Sequence, residues 1–172
     1  MKERKVKLLK MLQERMKEWD IASVYRDSES EKLPIDILTT LIEDFGNGLE
    51  DAMGEFFFMP KIEGREEDAL YFNSVLTLSE NVTEEMLPAL YEAIAILNYY
   101  TESGTFAVNK DGDMLVYRNS VALPLEMSDE TVFEMILANV AFSINVAERF
   151  SDLLLRVCDH RMSIEELRGM LP

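Results

Sequence analysis

The side chains able to do chemistry are few, and their spacing works against a shared site. His160 is the only histidine and Cys158 the only cysteine. Any Ser-His-Asp or Cys-His mechanism would have to run through His160. Two positions apart on a helix, the two side chains point about 200° from each other and cannot meet. They read as a packed thiol and an exposed terminal imidazole. Zinc needs about four Cys, His or carboxylate ligands, and one of each makes no site. Asn109, Asp111 and Asp113 alternate around Gly112 in a way that suggests calcium. The EF-hand register would then put Ala107 in the first ligand position and Arg118 in the last, and neither can serve. A hairpin turn with solvated carboxylates explains the same residues. Paired carboxylates could serve a glycosidase or a two-metal centre. Among 33 acidic residues, though, pairs arise by chance. Glu66, Glu67 and Asp68 fall in a loop, while Glu84–Glu85 and Asp129–Glu130 fall at helix starts, each with a local structural reason. The seven glycines form no GxGxxG or GxxxxGK[ST] cradle for phosphate. No catalytic, cofactor-binding or metal-binding residue is therefore expected, and no enzyme. The alternative is a carboxylate-based hydrolase assisted by a recruited Mg²⁺.

The elements that carry these residues fit one ordinary domain, or a domain with an arm. The chain has 172 residues, 48% hydrophobic and 29% charged, long enough to bury roughly 70% of its unfolded surface without disulfide or metal. A lone cysteine and the absence of a secretory signal fit the cytoplasm. No run of about 18 apolar residues occurs, so no transmembrane segment is expected. The net charge of −16 argues against a nucleic-acid binder, which normally carries a basic face. That charge is uneven. Residues 1–18 hold seven Lys or Arg against three Glu, a net of +4; the remainder holds ten basic against thirty acidic residues, a net of −20. Val6, Leu9, Leu12, Met16 and Trp19 recur at helical spacing within the basic segment, giving an amphipathic helix. Such a helix could lie on an anionic membrane, bind a partner, or fold back on its own acidic body or on a second copy.

Breakers divide the rest. Residues 26–32, RDSESEK, read as a linker. Pro34 then opens a helix carrying Ile35, Leu38, Leu41, Ile42 and Phe45, stopped by Gly46, Asn47 and Gly48. Glu55 to Met59 reads as a strand, Glu63 to Asp68 as a charged turn, and Leu70 to Leu78 as a strand with one wet face, the two strands forming a hairpin. In the first of these strands, Phe57 and Met59 point opposite to Phe56 and Phe58, so one pair faces something other than the sheet–helix core. A helix runs from Thr83 to about Tyr100. Three short strands follow, at Phe106 to Asn109, Met114 to Arg118 and Val121 to Leu125, with Asp111-Gly112 in a tight turn. Asn119-Ser120 turns into the third. Ser128 caps a helix over 129–158, and Ser163 with Glu166 forms a capping box on a short final helix.

Several of these residues form a recurring pattern. Val82-Thr83-Glu84-Glu85 leads through Pro88 to Leu97-Asn98, then Gly104-Thr105-Phe106, Asp111-Gly112-Asp113, Tyr117-Arg118 and the long helix. This order resembles the bacterial YbjN-like family of proposed sensory-transduction regulators, whose members share a fold with type III secretion chaperones. The resemblance covers about residues 35–160. It implies an α+β domain, frequent dimers and a protein-binding or regulatory role, with no catalytic residues to carry over.

The expected architecture is α+β: an antiparallel sheet of about five strands packed against two long helices, with a basic helical arm over 1–25 and a single domain over 33–172. Two apolar stripes run along the 129–158 helix, and one sheet can cover only one of them. Phe142, Val146 and Phe150 on the second stripe are expected to be covered by a second copy in a homodimer, or by residues 1–20. Eleven methionines suit either an ordinary core, at Met86, Met114, Met127 and Met135, or an adaptable binding surface. The expected function is a cytoplasmic, non-enzymatic protein-interaction module that captures an apolar partner segment.

Overall fold

A computed structural model describes residues 1–46, 50–61, 68–109 and 111–171. The expected stop at Asn47 and Gly48, most of the charged turn after Lys61, and Lys110 of the tight hairpin lie outside the described residues. The elements are α1 (Lys2–Glu18), β1 (Ser23–Arg26), β2 (Ile37–Phe45), β3 (Glu50–Phe58), β4 (Ala69–Ser79), α2 (Leu87–Tyr100), β5 (Thr105–Val108), β6 (Leu115–Pro124), α3 (Asp129–Cys158) and α4 (Ile164–Met170). Six strands form one antiparallel sheet in the order β1-β2-β3-β4-β6-β5. The fold is thus α+β, with one strand more than the sequence suggested.

Three corrections produce the count, the first being β1, a strand that forms at Ser23–Arg26 where the arm was expected to end. The helix expected after Pro34 is strand β2. Ile37, Thr39, Thr40 and Ile42 are β-branched and suit a pleated surface. Pairing with β3 turns Leu38 inward and leaves Leu41 exposed, so the helical spacing was coincidental. At the other end of the chain, the expected turn at Asn119-Ser120 is absent, and β6 runs straight through it. Each polar side chain finds a partner within the fold: Asn119 Nδ2 donates to Ser143 Oγ at 3.2 Å, and Ser120 Oγ donates to Asn73 Oδ1 at 2.6 Å. A satisfied buried polar group costs little, so the ladder continues.

All the helices that touch the sheet cover the same face. α3 crosses β4 and β6, α2 flanks β5, and α1 lies over β1 to β3. Their shared core holds Leu38, Phe56, Phe72, Leu76 and Tyr117 from the sheet and Ile136, Val140 and Leu154 from α3, all fully buried. A polar seam locks α3 in register. Ser74 Oγ donates to Asn139 Oδ1 at 2.7 Å, and Ser143 Oγ donates to the Asn139 carbonyl at 2.7 Å. By length and apolarity α3 would suffice to cross a bilayer, and 50% of its most apolar stretch is buried within the fold, as in a core helix.

The basic segment packs against its own body. Leu8, Leu9, Leu12 and Met16 of α1 are at most 1% exposed. Arg4 Nε and Lys7 Nζ donate to the two oxygens of Asp129 at 2.8 and 2.6 Å, and Arg4 Nη1 reaches the Leu125 carbonyl at 2.7 Å. Lys2 pairs with Glu29, and the Arg15 guanidinium sits 5.8 Å from the centre of the Phe133 ring. Residues 26–32, expected as a linker, end β1 and begin the short connection to β2.

Candidate interaction surface

The residues that resemble a family pattern each have a structural role. Asn98, near the end of α2, clasps the outer edge of β5: its Oδ1 accepts the Phe106 N–H at 2.8 Å and its Nδ2 donates to the Phe106 carbonyl at 3.0 Å. One side-chain amide thereby takes the place of a neighbouring strand and closes an edge that would otherwise recruit another chain. Gly104 has φ +72, and a Cβ there would lie 2.3 Å from the Tyr117 hydroxyl. Only glycine fits both demands. Tyr117 OH donates to the Ser103 carbonyl at 2.7 Å, and burial pushes this phenol up to about 12, so it stays a donor. In the tight hairpin, Asn109 Oδ1 accepts from the N–H groups of Gly112, Asp113 and Met114 at 3.0–3.1 Å. One side-chain oxygen thus gathers three backbone N–H groups of the turn. These positions build the fold.

The expected reactive residues stay apart. Cys158 is buried, and burial, helped by the charge of Asp159, pushes its thiol up to about 11. His160 is exposed, in a left-handed turn (φ 55) just past α3. Among the described residues no three His, Cys, Asp or Glu side chains converge as metal ligands. Of the three residues expected at an interface, Val146 and Phe150 are 8% and 4% exposed within the single chain, and Phe142 is half-buried. The Phe150 ring meets Phe106 edge-on at 6.3 Å. Besides the sheet, α3 packs against α2 and against α1, which lies within residues 1–20, one of the two coverings expected for the second stripe.

The uncovered surface is the other face of the sheet. Strand register arranges it in rows. One row reads Leu41, Met53, Thr77, Val116 and Ala107; the next reads Val24, Thr39, Glu55, Val75, Arg118 and Thr105. A third carries Ile37, Phe57, Asn73 and Ser120. Phe57 thus points away from the helices, as the alternation at 55–59 required. Val24, Leu41 and Tyr71 are 60%, 46% and 44% exposed, and no described helix covers them. A shallow groove of about 690 Å³ runs over Val24, Leu41 and Met53, with Asp51 and Glu80 on its rim. Asn73 is fully buried in this face, where its Oδ1 also accepts Arg118 Nη2 at 3.3 Å. A second exposed stripe, Tyr91 and Tyr99, lies on the outer side of α2. Pattern reading found Phe57 and the wet face of β4 with Tyr71, Asn73, Val75 and Thr77, but missed Val24 and Leu41, because β1 and β2 had not been recognised as strands.

No family model matches the chain, and no curated protein matches it. Among solved structures it is similar to YbjN from E. coli, described as a candidate transcription regulator. The identity is 12%, the likeness covers 84% of this chain and 91% of that one, and the TM-score is 0.43. At that score the two backbones overlap loosely, and the α+β fold here stands on its own strand pairing and helix packing.

Proposed function

We propose that this chain is a non-enzymatic protein-interaction module, a chaperone-like binder or regulator, and that it docks its partner on the helix-free face of the sheet. One observation carries the reading: a six-stranded sheet leaves Val24, Leu41, Met53, Phe57, Val75 and Val116 on a face that no described helix covers. A contiguous apolar patch of this kind is unusual on a soluble surface unless something covers it. The basic helix, the other candidate binding element, is already engaged by Asp129 and Glu29. That occupancy, with the net charge of −16, speaks against nucleic acid as the partner. A buried thiol in a chain with no second cysteine supports a cytoplasmic location. The hydrolase alternative gains no support from the grooves, because among the described residues no three carboxylates converge.

A photo-crosslinking amino acid in place of Val75 tests the reading, with one in place of the exposed Ala138 of α3 as control. Irradiation of cells expressing the full chain is expected to trap an adduct from position 75 and none from 138. Equal trapping from both positions, or none from position 75, overturns it.

A further inference from the structure

We propose that the helix-free face binds a second copy of this chain across a two-fold axis running along β4, Arg118 of each protomer meeting Glu55 of the partner subunit. This rests on the reading of that face as a docking surface and names its occupant. The strand register supplies the geometry. Val75 stands opposite Arg118 on one side and opposite Glu55 on the other. With strands about 4.8 Å apart, a cation and an anion therefore flank one valine at about 5 Å each way, on the same face.

Neither charge is neutralised by another described residue. Among the described residues Glu55 and Arg118 form no ion pair, whereas Arg4, Lys7, Arg26, Arg161 and Arg168 each have a carboxylate. Glu55 is half-buried on a largely apolar surface. Arg118 is exposed and is anchored through one N–H to the buried Asn73. An apolar face with two unpaired charges of opposite sign beside its central valine has the composition of an interface rather than of a wetted surface.

The arrangement is also self-complementary. A rotation of 180° about an axis along β4 keeps each row in place and carries β6 over β3. Arg118 then lies over Glu55 of the partner subunit, and Glu55 over Arg118 of the partner subunit, with the two Val75 side chains on the axis. In the neighbouring row the same rotation sets Val116 over Met53 of the partner subunit, apolar on apolar. An isologous contact demands this reciprocity, and a row with charges unequally placed about its centre would not provide it.

Sedimentation of the full chain decides the matter. The wild type is expected to be a dimer at micromolar concentration. Arg118→Glu alone, or Glu55→Arg alone, sets like charges at both ends of the row and raises the dissociation constant at least about tenfold. Mixing the two single variants brings two carboxylates against two guanidiniums and restores a dimer, and the doubly reversed chain restores the homodimer. If either reversal lowers the melting temperature, Val75→Lys, which sets two ammonium groups on the axis, takes its place and is expected to give monomers. A monomeric wild type overturns the proposal. So does a dimer indifferent to both reversals, or a pair of weakened variants that fail to re-associate. The crosslinker at position 75 separates the two readings. A monomer that traps a different protein there overturns the second copy and leaves the docking surface standing. A monomer that traps nothing overturns both.

Discussion

Cys158 shows how burial decides what a reactive side chain does. The thiolate, not the thiol, attacks, and desolvation at the end of α3 pushes this thiol up to about 11. In the folded chain it should react with a maleimide or a disulfide reagent at least about a hundredfold more slowly at pH 7.5 than in denaturant. Equal rates would mean that α3 opens at its end. Gly104 makes a sharper case. Replacing it with alanine forces φ +72 on a residue with a side chain and drives the Cβ into Tyr117. Strain at such a position and the lost Tyr117–Ser103 bond together should cost about 2–4 kcal/mol in denaturant titration. A loss below about 0.5 kcal/mol would mean that the loop simply shifts.

At the scale of elements, α1 is the one whose role most changed between pattern and packing. Charge and spacing suggested a separable arm, and removal of residues 1–20 would then leave a folded core. Packing points the other way. Leu8, Leu9, Leu12 and Met16 are buried, and each such side chain contributes about 1.5–3 kcal/mol. Their sum is of the order of a whole domain's stability, about 5–15 kcal/mol. Deleting residues 1–20 is expected to abolish cooperative unfolding, read by circular dichroism. A truncated chain that still melts sharply would restore the arm. α3 offers a parallel test. Val146→Glu or Phe150→Glu puts a carboxylate into the interior, so each should destabilise the fold by about 3 kcal/mol or more. The loss should appear in melting before any change in sedimentation. Dissociation of an intact, equally stable chain would instead place these residues at an interface.

Across the whole molecule, electrostatics ties the two ends of the sequence together. The +4 helix lies on a −20 body, and Asp129 is the junction. The Lys7 hydrogen bond, and after it that of Arg4, holds its carboxyl below the ordinary aspartate value of 3.8. The folded form therefore takes up this proton less readily than the unfolded form. The stabilisation is complete above the ordinary value and is lost as pH falls through the lower, folded one. Carboxyl NMR titration should find Asp129 with a midpoint below that of exposed aspartates. Arg4→Gln with Lys7→Gln should raise the midpoint towards 3.8. An unmoved midpoint would mean that these cations do not hold α1 in place.

What could be read from residues alone was whatever depends on neighbours in the chain. Ser128 caps α3 and Ser163 with Glu166 boxes α4, because a cap is a contact over three residues. The hairpin of β3 and β4 and the opposed faces of Phe56 and Phe57 follow from a period of two. Local spacing also separated Cys158 from His160. The failures came where distant partners outweighed local pattern. Leu38, Leu41, Ile42 and Phe45 match a helix as well as a strand, and only β1 and β3 on either side made β2 a strand. Asn119-Ser120 reads as a turn until Ser143 and Asn73 arrive to satisfy both side chains. The face that carries Glu55, Val75 and Arg118 was invisible for the same reason. These residues lie on three strands, far apart in sequence, and cross-strand register, which brings them into one row, is a property of the assembled sheet.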